Sequence, residues 1–64
     1  MSSRINAIIV DDEPVAREVL ETHLARIPSM NIVASCKNAM EAFQVLSNNS
    51  IDLIFLDINM PDIS

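Results

Sequence analysis

Three short apolar runs, separated by two stretches of helical period, limit what this chain can fold into. The first is Ile5-Asn6-Ala7-Ile8-Ile9-Val10, the second holds Ile32-Val33-Ala34 within residues 30–35, and the third is residues 51–56 around Leu53-Ile54-Phe55-Leu56. Runs this short, apolar on successive residues rather than alternate ones, are characteristic of strands buried on both faces of a parallel sheet. Pro14 suits the first position of a helix, where its missing N–H costs nothing. Ala16, Val19, Leu20, Leu24 and Ile27 then recur at helical spacing and predict a helix over 14–27, ended by Pro28. Glu13 and Arg17 are four apart, a favourable pairing at a helix start. Asn38 and Glu41 have capping-box spacing and open a second helix over 39–48, expected to bury Ala39, Ala42, Phe43 and Leu46. Asn48 and Asn49 are expected to leave that helix through a left-handed turn. The element order is β-α-β-α-β, which implies an α/β fold with a parallel sheet and right-handed crossovers.

Sixty-four residues allow one domain at most. A chain of about 60 residues buries only about 60% of the surface it exposes when unfolded, so its core is small. The single Cys36 precludes an internal disulfide and favours a reducing compartment. A net charge of −5, with Arg4, Arg17, Arg26 and Lys37 scattered, argues against nucleic-acid binding by this segment. No apolar stretch approaches the ~18 residues a membrane span requires, and no signal peptide is apparent. The expected location is cytoplasmic. The chain contains no glycine. P-loops and dinucleotide fingerprints depend on glycine for close backbone approach to phosphate, so both routes to nucleotide binding are excluded.

The chemistry lies in three carboxylates. Asp11 and Asp12 follow the first apolar run, and Asp57 follows the third. α/β sheets place ligand sites at the carboxyl ends of their strands, so neighbouring parallel strands would gather these acids at one edge. Each alone can be read as a helix N-terminal or turn residue. Together they suggest a divalent cation site, because clustered carboxylates resist ionisation unless a cation sits among them. Mg2+ is the natural occupant, since it takes oxygen ligands and binds through one or two carboxylates and a phosphate. Asp12 and Asp57 are the candidate direct ligands, with Asp11 acting through water and a loop carbonyl near Asn59 completing one side. Asp57 is the candidate nucleophile, able to form an aspartyl phosphate.

The segments Ile8-Ile9-Val10-Asp11-Asp12-Glu13-Pro14 and Asp52-Leu53-Ile54-Phe55-Leu56-Asp57-Ile58-Asn59-Met60-Pro61 resemble the receiver (CheY-like) domain of two-component response regulators. The resemblance covers nearly the whole chain. It implies a flavodoxin-like, doubly wound sheet with order 2-1-3 over these strands. It also implies Mg2+ held by Asp12, Asp57 and the backbone carbonyl of Asn59, with phosphorylation of Asp57 by a histidine kinase. The run Asp-Asp-Glu-Pro-Val-Ala-Arg looks most like receivers joined to LytTR-type DNA-binding domains, which would place any DNA contact in a separate output domain.

Family receivers run to roughly twice this length, within the usual domain range. The resemblance therefore reads residues 1–64 as an amino-terminal half, without the later strands that carry the family's Ser/Thr and Lys. On that reading the third strand has an open edge, and a homodimer or higher assembly through residues 51–56 is expected to complete the sheet. Two rivals to the signalling reading stand beside it. A haloacid-dehalogenase-like phosphotransferase would need Asp-x-Asp after its first strand, whereas this chain has Asp57-Ile58-Asn59 after its third. A structural half-fold would assemble by strand pairing without phosphotransfer. His23 is expected to be an exposed helix residue, Cys36 a small buried one, and Phe43 and Phe55 core anchors.

Overall fold

A computed structural model describes residues 4–57. The elements are β1 (Ile5–Val10), α1 (Pro14–Leu24), β2 (Met30–Cys36), α2 (Ala39–Asn48) and β3 (Leu53–Leu56). The strands form one parallel sheet in the order β2-β1-β3. α1 ends at Leu24, three residues before the expected Ile27, in turns closed by Arg26 N–H to His23 C=O and Ile27 N–H to Leu24 C=O. β3 begins at Leu53 instead of residue 51.

β1 is the spine. Ala7, Ile8 and Ile9 are fully buried, because a central strand between two partners is covered on both faces. Ile8 and Val10 join Cys36 and Ala42 in one cluster, with Val33, Ala34, Val45 and Ile51 packed around it. That is the α2 face of the sheet. Ala7 and Ile9 alternate to the other face, where α1 packs on β1 and β2. Burying an isoleucine side chain contributes roughly 1.5–3 kcal/mol, so Ile8 and Ile9 supply much of what a chain this small can gather.

The β1–β2 pairing shifts register between Ala7 and Ile8: Ala7 faces Ile32 but Ile8 faces Ala34. Val33 is the extra residue of a bulge, which brings Cys36 level with Val10. The β1–β3 pairing is regular, from Ala7↔Leu53 to Val10↔Leu56. A polar clasp at the strand starts ties β1 to both of its neighbours. The Asn6 amide nitrogen donates to Ser50 C=O at 3.1 Å, and its oxygen accepts from Asn31 Nδ2 at 3.0 Å. The Asn6 backbone N–H donates to Asp52 Oδ2 at 2.9 Å, and Asp52 N–H donates back to Asn6 C=O at 2.7 Å.

Several packing expectations are corrected. Phe43 is 65% exposed and Leu46 is exposed as well, because α2 turns Ala42 and Val45 toward the sheet. Val19 and Ile27 are also exposed, leaving Leu24 as the buried residue of α1. Phe55 is half-buried. Lying outermost in the sheet, β3 leaves Leu53, Ile54 and Leu56 exposed, and no strand pairs with its outer edge among the described residues.

Helix ends are closed by side chains. Asn38 Oδ1 accepts from Glu41 N–H at 2.9 Å, while Glu41 Oε1 accepts from Lys37 N–H at 3.0 Å, one residue earlier than the usual capping-box partner. At the other end no left-handed residue occurs among the described residues, and Asn49 is extended. The Asn48 and Asn49 side-chain amides instead donate to Gln44 C=O and Val45 C=O. Those bonds satisfy carbonyls that a glycine-based cap would otherwise serve.

Candidate functional site

The acidic residues meet at the carboxyl edge of the sheet because the ladder continues one residue past each apolar run. Asp11 N–H donates to Cys36 C=O at 3.0 Å, and Asp57 N–H donates to Val10 C=O at 3.2 Å. Asp11 and Asp57 are therefore the next residues in register after Val10 and Leu56, on strands about 4.8 Å apart.

Their environments differ. Asp11 is 9% exposed, and its Oδ1 accepts the Glu13 N–H at 3.0 Å. Asp57 is exposed, and so is Asp12. The negative charge of Asp11 raises the Asp57 carboxyl above its ordinary pKa. Desolvation, a hydrogen bond between the two carboxyls and the Asp12 charge push in the same direction. The expected Glu13–Arg17 ion pair is not formed; among the described residues the ion pair present is Lys37–Glu41, on α2. The Arg17 guanidinium instead donates to the backbone carbonyl of Asp11 at 2.6 Å.

Asp11 and Asp57 are thus brought together, with Asp12 beside them. Asn59, expected to offer a carbonyl, lies outside the described residues. Among the described residues no group of three or more His, Cys, Asp or Glu is arranged to hold a metal ion. An oxygen-only carboxylate pair under mutual repulsion nonetheless fits a hard divalent cation such as Mg2+, which keeps most of its waters and needs only one or two carboxylates. His23 is exposed on α1 with Nδ1 against Val19 C=O, away from any such cluster. Burial pushes the Cys36 thiol up, Glu41 adds to this and Arg17 opposes it, so the thiolate is disfavoured.

A family model described as the response regulator receiver domain matches residues 7–64. The chain belongs to the response regulator receiver family. The receiver is 45% identical over 60 residues to an uncharacterized response regulatory protein of Shewanella oneidensis, covering 94% of this chain and 25% of that protein. It is 45% identical over 60 residues to the transcriptional regulatory protein BtsR of Escherichia coli K12, with the same coverage of each chain. To BtsR of Salmonella typhi it is 47% identical over 60 residues, again covering 94% of this chain and 25% of that protein. The receiver spans about a quarter of the length of these relatives. No solved structure matches it. Receivers are signalling modules of two-component systems, and in general they bind Mg2+ at a phosphorylation site and take phosphate from histidine kinases. Among the described residues no helix is long and apolar enough to cross a membrane.

Proposed function

We propose that this receiver is a phosphoacceptor that takes a phosphoryl group on Asp57 from the phosphohistidine of a histidine kinase. The observation that carries the reading is the placement of Asp57 at the carboxyl edge, opposite Asp11 and under its charge. An Asp57 carboxylate oxygen attacks phosphorus, the phosphorus–nitrogen bond to the donor imidazole breaks, and the imidazole nitrogen leaves with the bonding electron pair and takes up a proton. The product is an acyl phosphate on Asp57.

Asp12, Asp57 and the Asn59 carbonyl are the residues that would hold Mg2+ directly, with Asp11 acting through water. When bound, the ion would neutralise charge on the transferring phosphoryl oxygens. Asp11 serves this arrangement well, because one of its oxygens is committed to Glu13 N–H and its backbone is held on both sides. As a phosphoacceptor the chain is modified once per signalling event, as a switch component and not a turnover enzyme. Membership of the LytTR-type group, a cytoplasmic location and DNA contact through a separate output domain are part of the same proposal. Its support is the Asp11–Arg17 sequence pattern and the naming of BtsR as a transcriptional regulator.

The test is incubation of the full-length parent protein with phosphoramidate and Mg2+, residues 1–64 alone being expected to label weakly or not at all. One phosphoryl group per chain is expected, and Asp57→Ala should abolish it; full labelling of that variant refutes the assignment. The outer edge of β3 favours a second reading, in which the chain assembles through that edge without phosphotransfer. Gel filtration should then give a dimer or larger species at micromolar concentration, and thermal stability should be indifferent to Mg2+. A compact monomer stabilised by Mg2+ excludes it.

A further inference from the structure

We infer that Arg17 is a positioning residue that locks the peptide joining Asp11 to Asp12 and thereby sets the carboxylates of the acidic edge; this rests on the metal-dependent reading above. Arg17 is half-buried on the first turns of α1, where its own N–H closes the helix onto Glu13 C=O at 3.1 Å. Its guanidinium turns back six residues to the Asp11 carbonyl at 2.6 Å, a short, charge-assisted bond. That carbonyl belongs to the peptide unit whose other end is the Asp12 nitrogen. Because peptide units are planar, holding its oxygen holds the plane from which Asp12 departs.

Besides the helix-closing bond to Glu13 C=O, the other ties on this loop fall on Asp11. Its N–H is bonded to Cys36 C=O and its Oδ1 to Glu13 N–H. Asp12 is exposed and draws its placement from the backbone on either side. Without Arg17 the Asp11–Asp12 peptide loses the only side-chain bond to its oxygen among the described residues. A lysine could reach the same carbonyl with a single donor, but without the flat, preformed guanidinium.

Two effects of Arg17 on a bound cation oppose each other. Its positive charge repels Mg2+, and at this half-buried position beside the acids that repulsion is only partly screened. Its bond preorganises the ligands, and removing such supporting bonds typically weakens metal affinity by 10–100-fold. Preorganisation is inferred to outweigh repulsion, and the direction of the affinity change in Arg17→Met reads which of the two wins.

The test compares Arg17→Met and Arg17→Lys with the unmodified protein by Mg2+ titration of thermal stability, and by amide hydrogen exchange without metal. Arg17→Met should raise the half-saturating Mg2+ concentration about tenfold and speed metal-free exchange at Asp12 and Glu13, while Arg17→Lys should recover a large part of both. Unchanged or tighter Mg2+ binding in Arg17→Met, or unchanged exchange at Asp12, overturns the inference alone. Absence of any Mg2+ response in the unmodified protein overturns the metal reading and this inference with it. If Arg17→Met fails to fold, Arg17→Gln is read by the same criteria: weakened Mg2+ binding with faster Asp12 exchange supports the lock, and unchanged binding or unchanged Asp12 exchange overturns it.

Discussion

Replacing Asn6 with alanine should destabilise the sheet far from the acids and still disturb their alignment. The substitution removes two hydrogen bonds, Nδ2 to Ser50 C=O at 3.1 Å and Oδ1 from Asn31 at 3.0 Å, and spares the backbone bonds to Asp52. A net contribution of about 0.5–1.5 kcal/mol per bond gives a loss of about 2 kcal/mol. Whole-domain stability at this length is on the order of 3–10 kcal/mol, so the loss is a large fraction of the total. With a urea m-value near 1 kcal/mol/M for so small a chain, the unfolding midpoint followed by circular dichroism should fall by about 2 M with m unchanged. Asn31→Ala should produce about half that shift. The double variant should resemble Asn6→Ala alone, since the two residues share one bond. A midpoint shift under about 0.5 M for Asn6→Ala would refute the claim that the clasp holds β1 to its neighbours. In that case the apolar pairs from Ala7↔Leu53 to Val10↔Leu56 would suffice.

Asp57→Asn should raise the unfolding midpoint in metal-free buffer near neutral pH. The folded-state pKa of Asp57 is raised, chiefly by Asp11, so its ionisation opposes folding once pH rises through that value. Below the unfolded carboxylate pKa of about 3.9 both states are protonated and the gain should vanish, as pH-dependent thermal melts can check. Asn38→Ala should cost about 1 kcal/mol by losing the bond to Glu41 N–H, seen as a lower urea midpoint; a cost indistinguishable from zero would mean that the Glu41–Lys37 bond closes the helix unaided. Ile8→Val should cost about 0.5–1.5 kcal/mol in the same assay, because Ile8 is fully buried in the cluster with Val10, Cys36 and Ala42.

The element order and the helix at Ala39–Asn48 were legible because strand and helix periods differ so plainly along this chain, whereas the strand order came only from the family resemblance. The meeting of Asp11 and Asp57 was legible too, since parallel strands carry their ends to the same edge. Which apolar residues are buried was not. Periodicity identifies the apolar stripe of a helix but not its roll, so Phe43, expected in the core, is exposed while Val45 packs against the sheet. The Val33 bulge left no mark, because an apolar strand reads alike with or without an extra residue. Asn6 interrupts an otherwise apolar run, and that interruption was the one visible sign of the clasp. Arg17 looked like half of a local ion pair with Glu13; helix spacing alone does not reveal a guanidinium turning back toward a loop carbonyl.

The ladder bonds that reach Asp11 and Asp57 have a mechanical consequence. Carboxylates on a loose loop can relieve repulsion by drifting apart, whereas these two are anchored to the last rungs of hydrogen-bonded strands. Their backbones cannot separate without unzipping the sheet from its carboxyl end. With the backbones held, relief is left to side-chain rotation at the exposed Asp57, a proton or a cation. A rigid pair of this kind behaves as a spring held at fixed extension, and whatever chemistry occurs on Asp57 changes the load on β1 and β3 together.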